Sequence, residues 1–313
     1  MIFQPSRPFS PEPAGPAAVR RGGLDVRVGA VQYLNTKPLV HGLAAAGVGV
    51  RYDLPSRLAD RLAAGELDVA LIPSIELFRG RDYSVVSDAC IGCRGPVMSV
   101  KLFLRTPPHR VTTLAVDEGS RTSATLARIL LAERHAAVPA VEILPIGAGL
   151  GDTRADAVLL IGDRALGPAG TASGYAGSFQ LVWDLGDEWV RWTGLPFVFA
   201  VWAARPGVDT SAVEPLLAQA RDAGVANLAA IAAAEAAPHG LTVPQCLGYL
   251  RDNLHYDLGP REREALAVFR QHAAALSLAT GPAAGADSGR GPSQAAGSGP
   301  ALKAQGPWTE PPR

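Results

Sequence analysis

The sequence predicts an α/β protein of two lobes with a cleft between them, and three observations carry that prediction. Three times before residue 135, a short apolar strand runs into a polar turn and then into an apolar helical pattern. Two long apolar strands, at 99–105 and 196–203, lead away from a first lobe and back to it, so the chain crosses between lobes once in each direction. The composition, 48% hydrophobic over 313 residues, is enough to fill two cores.

The first unit is 26–43, VRVGAVQYLNTKPLVHGL. Val26, Val28 and Val31 are β-branched and favour a strand. Pro38 fits a helix's first turn, where its fixed φ and missing N–H are tolerated, and Asn35 or Thr36 then caps that helix. In open α/β sheets, ligands gather at the carboxyl ends of strands, where helix-start N–H groups attract anions. The turn is therefore either an ordinary capped βα connection or an anion site. The second unit, LDVALIP at 67–73, ends at Ser74 before the apolar-periodic IELF. The third, TLAV at 113–116, ends at DEGSRTS (117–123) before ATLARILLAERHA, which has i, i+3, i+4 amphipathic spacing. Three strand ends with hydroxyls or an amide, if they converge, form a cleft whose walls donate N–H and O–H groups to a small carboxylate ligand.

Further along, SVKLFLR (99–105) leads through Pro107 and Pro108 to the second lobe, which holds the helix after Thr122 and strands at 141–146 and 155–162. The chain returns through PFVFAVWA at 196–203. Lobe 1 is thus read as 25–104 plus 197–280, and lobe 2 as 105–196. Three helical patterns, 210–236, 243–254 and 260–278, complete the core, the last with a stripe of Leu266, Phe269, Ala273 and Leu276. Residues 1–24 and 281–313 are rich in Pro, Gly and small polar residues and read as disordered extensions, with Trp308 incidental.

Charge and composition exclude several classes. Lys and Arg total 29 against 29 acidic residues, and no basic stripe is interleaved with aromatics, so nucleic acid is not an expected partner. No apolar run reaches the roughly 18 to 20 residues of a membrane span. The first residues lack the apolar core of about 7–15 residues that an export signal needs, and the cytoplasm is the expected location.

Other motifs fail on count or context. Cys90 and Cys93 form C-x-x-C, but Cys246 is the only other thiol and no His pair stands at ligand spacing, so a zinc site is not supplied. Buried reduced thiols are the plain reading, thiol exchange the alternative. The GAGLG run at 147–151 follows a strand but leads into another strand, unlike a phosphate-binding G-x-G-x-x-G turn. Neither a Walker A sequence nor a G-x-S-x-G elbow occurs.

GAVQYLNTKPLVHGL, DVALIPSIELFR, VVSDACIGCRGPVMSVKLFLR, VDEGSRTSATLARILL, ADAVLLIGDRAL and WDLGDEWVRWTGLPFVFAVWAAR, with a fainter match in YLRDNLHYDLGPREREAL, together resemble the chorismate dehydratases of the futalosine route to menaquinone. The resemblance implies a periplasmic-binding-protein type II fold used as a cytoplasmic enzyme. The implied reaction removes water from chorismate to give 3-[(1-carboxyvinyl)oxy]benzoate, with no metal or organic cofactor. It also implies site roles: Asn35 as the catalytic amide, Ser99 as its partner, and Ser74, Ser120, Thr122 and Ser123 as carboxylate binders. Thr36, Gly119 and Arg121 join the substrate-binding set with Asp163, which with Arg164 shapes the cleft; for Ser74 an N-cap, for Arg121 a surface position and for Asp163 a hinge or cap role are the alternatives. Trp192 reads as core and Thr193 as its neighbour before the return strand. Two other readings remain open: a solute-binding protein without chemistry, because fold alone does not separate capture from catalysis, and the related dihydroxynaphthoate synthase of the same route.

Overall fold

The computed structural model describes residues 26–166 and 178–279. The expectations for 1–24 and 281–313 lie outside the described residues.

Apolar runs become strands and amphipathic runs become helices, in the order the patterns predict. β1 (Val28–Val31) enters a 3₁₀ helix at Leu34–Val40, followed by β2 (Val50–Asp53), α1 (Pro55–Ala63), β3 (Val69–Pro73), a second 3₁₀ helix at Ser74–Phe78 and β4 (Ser84–Cys93). Next come β5 (Val100–Leu104), β6 (Thr113–Asp117), α2 (Thr122–His135), β7 (Ala140–Leu144), β8 (Ala157–Ile161), α3 (Asp163–Leu166), β9 (Leu181–Asp184) and α4 (Leu185–Thr193). The return strand β10 (Phe197–Ala204) precedes α5 (Glu214–Ala226), α6 (Leu228–Glu235), α7 (Val243–Gly248), a π-helical turn at Tyr249–Asn253, β11 (His255–Asp257) and α8 (Pro260–Ala275).

The strands form two mixed sheets, ordered β11-β4-β10-β3-β1-β2 and β7-β6-β8-β5-β9. β3 and β10 are buried at every position, which is why both read as continuous apolar runs rather than alternating ones. Within each sheet the βα units give parallel pairs, β1 with β2 and β3, and β6 with β7 and β8. The return strand β10 runs antiparallel between β3 and β4.

Four expectations are corrected. β5 pairs antiparallel with β8 and β9, so it belongs to the second sheet: the outward crossing lies before Val100, not after Leu104, because the apolar strand fills the gap between those two neighbours. The segment after β1 is a 3₁₀ helix with Pro38 inside it, entered from an extended Tyr33 that makes no side-chain cap; Asn35 and Thr36 lie within the helix, so neither caps it. The 210–236 pattern divides at Asn227, whose side-chain amide donates to the Ala223 carbonyl at 2.7 Å, an alternative to helix continuation that Asn offers readily. On α8 the buried face is Glu262, Ala265, Phe269 and Ala273, with Leu266 and Leu276 only half-buried. An ion pair from Glu262 to Arg94 at 3.0 Å, with the His255 ring 3.4 Å away, accompanies the inward turn of that acid.

Asp184, at the junction of β9 and α4, fastens the outward crossing to the second lobe. One oxygen caps α4 through the N–H groups of Gly186 (3.0 Å) and Asp187 (3.1 Å), and the carboxylate also accepts from Val97 (3.0 Å) and Met98 (2.6 Å) on the outward crossing. Met98 there holds a left-handed φ of 62°, a conformation that costs a non-glycine residue about 1–3 kcal/mol and persists only where its surroundings hold it.

Candidate functional site

The carboxyl ends of four parallel strands, β1, β3, β6 and β8, meet at one cavity. It is lined by Val31, Tyr33, Asn35, Pro73, Ser99, Ile161 and Gly162, by the whole 119–123 turn, and by Ile91, Phe199 and Ala200 from the antiparallel strands. Its empty volume, mouth included, is about 490 Å³.

Asn35 and Ser99 face this space, both buried. Thr36 donates to the Asn35 side-chain oxygen at 3.3 Å, which helps orient the amide. The Ser99 carbonyl accepts from Gly162 N–H at 2.8 Å, fixing the serine against the end of β8. Behind the pair stands fully buried Tyr249, on the π-helical turn. Burial pushes its phenol far up, and the nearby Ser99 and Asn35 side chains act in the opposite sense.

The 119–123 turn supplies a second polar wall. Ser120 accepts from Ala124 N–H at 3.2 Å, a capping bond for the 14-residue α2. The first turn of α2 thus meets the cavity, where its N–H groups and dipole favour an anion. Buried Asp117 accepts from Gly119 N–H at 3.0 Å and from Arg164 at 2.7 Å, which sets the shape of the turn.

Seven of the ten sequence-predicted site residues line the cavity: Asn35, Ser99, Gly119, Ser120, Arg121, Thr122 and Ser123. Thr36, Ser74 and Asp163 do not. Ser74 donates to the Val198 carbonyl at 2.7 Å and lies 3.4 Å from Thr122 Oγ1, so it acts neither as a helix cap nor as a ligand contact but holds Thr122, which in turn accepts from Ile75 N–H. Asp163 accepts from Leu34 N–H at 3.0 Å and pairs with His239 at 3.3 Å, so it orients the 3₁₀ helix that carries Asn35. Arg121 reaches the cavity wall, but its guanidinium grips Asp60 with two bonds of 2.7 Å and Glu76 with one of 3.2 Å, so it is a strut rather than a free cation.

The sequence reading missed Tyr33. Its ring lies where a Cβ on Gly162 would come within 2.5 Å of it, and a Cβ on Gly119 would stand 3.0 Å from its hydroxyl. The two glycines were the available signal, for a tyrosine after a strand otherwise reads as packing.

Trp192 packs edge-on against Trp189 at 5.8 Å, within the core, and Thr193 donates to the Trp189 carbonyl. Cys90 and Cys93 are buried on β4; burial pushes the Cys93 thiol up to about 12 and the Cys90 thiol further, so thiolate exchange has no foothold. Among the described residues, no cluster of three His, Cys, Asp or Glu side chains is arranged to hold a metal ion, and no helix is long and apolar enough to cross a membrane.

A family model described as menaquinone biosynthesis matches residues 26–275. The chorismate dehydratase of Thermus thermophilus is 32% identical over 268 residues, 82% of this chain and 96% of that one. Among solved structures, a protein from Archaeoglobus fulgidus aligns with a TM-score of 0.61 at 17% identity, covering 81% of this chain and 98% of its own. The alkanesulfonate-binding protein SsuA of Xanthomonas axonopodis pv. citri aligns at 0.58 and 14%, covering 84% and 96%. These structural likenesses give the fold: two lobes of the periplasmic-binding-protein type. With its model match across nearly all the described residues and its close relative, the chain belongs to the menaquinone-biosynthesis family that includes the Thermus thermophilus chorismate dehydratase.

Proposed function

We propose that this chain is a chorismate dehydratase, a hydro-lyase that converts chorismate to 3-[(1-carboxyvinyl)oxy]benzoate in the cytoplasm. The observation that carries this reading, beside the family, is the convergence of Asn35, Ser99 and the 119–123 turn on one cavity. Chorismate has two carboxylates and a secondary hydroxyl, and loss of the C4 hydroxyl with the C3 proton leaves an aromatic ring. Aromatisation drives the reaction. The protein has to supply a fixed pose and stabilise the charge that moves.

The lining contains no Asp, Glu, His or Lys side chain among the described residues, so the base comes from the substrate. The enolpyruvyl carboxylate takes the C3 proton while Asn35 and Ser99 hold that carboxylate and donate to the departing oxygen. The C–H electron pair closes the ring's third double bond, the C–O pair leaves with the oxygen, and the resulting hydroxide takes the proton from the carboxyl group to become water. The start of α2, with Ser120, Thr122 and Ser123, receives the ring carboxylate through N–H and O–H donors. A well-placed proton-transfer or donor group contributes about 10²–10⁴-fold, which sets the scale for losing either Asn35 or Ser99.

We assign residues 26–93 with 197–279 to one lobe, and 100–166 with 178–193 to the other, on the two sheets. Ultraviolet absorbance of chorismate mixed with purified protein tests the activity directly. Loss of the diene band with growth of a benzoate band supports the dehydratase; binding without spectral change makes the chain a receptor for a small carboxylate.

A further inference from the structure

Two polar side chains line the cavity without a part in the reaction as described: Arg121, which is bound to Asp60 and Glu76, and Tyr33. Tyr33 is 6% exposed, it lines the cavity, and its buried hydroxyl has no hydrogen-bond partner within the protein. A buried donor left unmet costs about 1–3 kcal/mol, so a phenol kept there needs a partner from outside the chain. Resting on the dehydratase reading, we propose that the Tyr33 hydroxyl donates a hydrogen bond to the C4 oxygen of chorismate as that oxygen departs.

The geometry fixes where the phenol points. Tyr33 follows β1 in the first sheet, while Gly119 and Gly162 follow β6 and β8 in the second, so the ring from one lobe sits in a slot cut into the other. Any side chain at Gly162 would strike the ring at 2.5 Å, and one at Gly119 would crowd the hydroxyl at 3.0 Å. The oxygen is thereby held beside the first turn of α2.

Burial and the charges around it keep the phenol neutral. Asp117, Asp163 and Glu118 oppose negative charge at this point, with Arg164 alone acting in the other sense. Burial and those acids keep the phenol protonated through the physiological range, so it is a donor and not a base. With the two carboxylates of chorismate assigned to Asn35 and Ser99 and to the start of α2, the C4 hydroxyl is the remaining oxygen for this donor, and it is uncharged until its C–O bond breaks. Negative charge then develops on that oxygen, and the hydrogen bond strengthens in the transition state. Tyr33 keeps its own proton throughout; the proton that completes water is the one the enolpyruvyl carboxylate took from C3.

Tyr33→Phe removes only the orphan oxygen and leaves the ring in its slot. The expected result is a melting temperature equal to or above that of the unaltered protein, with kcat for chorismate lowered about tenfold or more and KM changed less than about threefold. In calorimetric titrations with 4-deoxychorismate, which lacks the departing oxygen, the variant and the unaltered protein bind equally. A kcat within twofold of the unaltered protein overturns the inference while the dehydratase reading stands. A lowered melting temperature with a matching loss of affinity for 4-deoxychorismate assigns Tyr33 to packing and also overturns it. If the unaltered protein neither binds nor converts chorismate, the dehydratase reading fails and this assignment falls with it.

Discussion

At the scale of single residues, Asn35 is the position on which the proposed chemistry turns. Its side-chain oxygen accepts from Thr36, and its NH₂ is the donor that the proposed chemistry uses. Asn35→Asp replaces that donor with a carboxylate in a cavity whose one lining cation, Arg121, is already gripped by Asp60 and Glu76. We expect kcat to fall about 100-fold or more, with the melting temperature little changed; steady-state rates at saturating chorismate check it, and full activity would refute the assigned role. Gly162 gives a prediction of the opposite kind. Its φ of +60° and its contact with the Tyr33 ring leave no room for a methyl group. Gly162→Ala should therefore cost about 1–3 kcal/mol of stability, measured by denaturant unfolding. Asn35 was legible in the sequence because a polar residue at a strand end stands out against apolar runs, whereas Ser99, just ahead of β5, was named only by the family resemblance. The ion pairs of Arg121 with Asp60 and Glu76 were not legible, since nothing local shows that those acids come to meet it.

At the scale of elements, two contacts decide where the site sits. α5 packs on the 3₁₀ helix at Leu34–Val40 so closely that a Cβ on Gly224 would lie 2.0 Å from the Pro38 carbonyl oxygen. Gly224→Ala must move that helix, and with it Asn35. We expect both a stability loss of about 2–3 kcal/mol and a lowered kcat, separable from simple unfolding because the remaining folded enzyme is also slower. The second contact is Asp68, at the entry to β3, which accepts from Arg27 N–H (2.9 Å) and from the guanidinium groups of Arg27 (2.8 Å) and Arg205 (2.6 Å). These bonds, the Arg27 side chain first, hold its carboxyl far below the usual range. A carboxyl with a depressed folded pKa adds stability above its unfolded pKa of about 3.9 and loses it as pH falls. Asp68→Asn should thus destabilise by about 1–2 kcal/mol near neutrality, given that the Arg27 side chain is 53% exposed and partly screened. The difference from the unaltered protein should shrink steadily below about pH 4 in chemical denaturation. Helix and strand existence was legible from periodicity, but the turned face of α8 and the break at Asn227 were not, because buried Glu262 and a side-chain bond to Ala223 override the local pattern.

At the scale of the whole molecule, two sheets joined by two crossings face each other across the cavity. Elements of the first sheet reach those of the second through Asp163 to Leu34 N–H, Arg57 to Glu118 at 2.9 Å and Arg121 to Asp60. Three polar links and one aromatic ring in a glycine slot join the two sheets across the cleft, and we expect ligand to bring the lobes closer by rotation about the crossings. Chorismate should reduce the radius of gyration in small-angle scattering, and identical dimensions with and without it would refute closure. The sequence by itself determined the α/β class, the two crossings, the strand-end polar residues and the family, because these follow from hydrophobic period and local motif. Only the tertiary structure decided which of those polar residues share a cavity, that β5 joins the second sheet, and that Tyr33 stands unpartnered inside. Such facts depend on which distant strands become neighbours, and hydrogen-bond partners more than 40 residues apart, such as Asp68 and Arg27, leave no periodic trace in the chain.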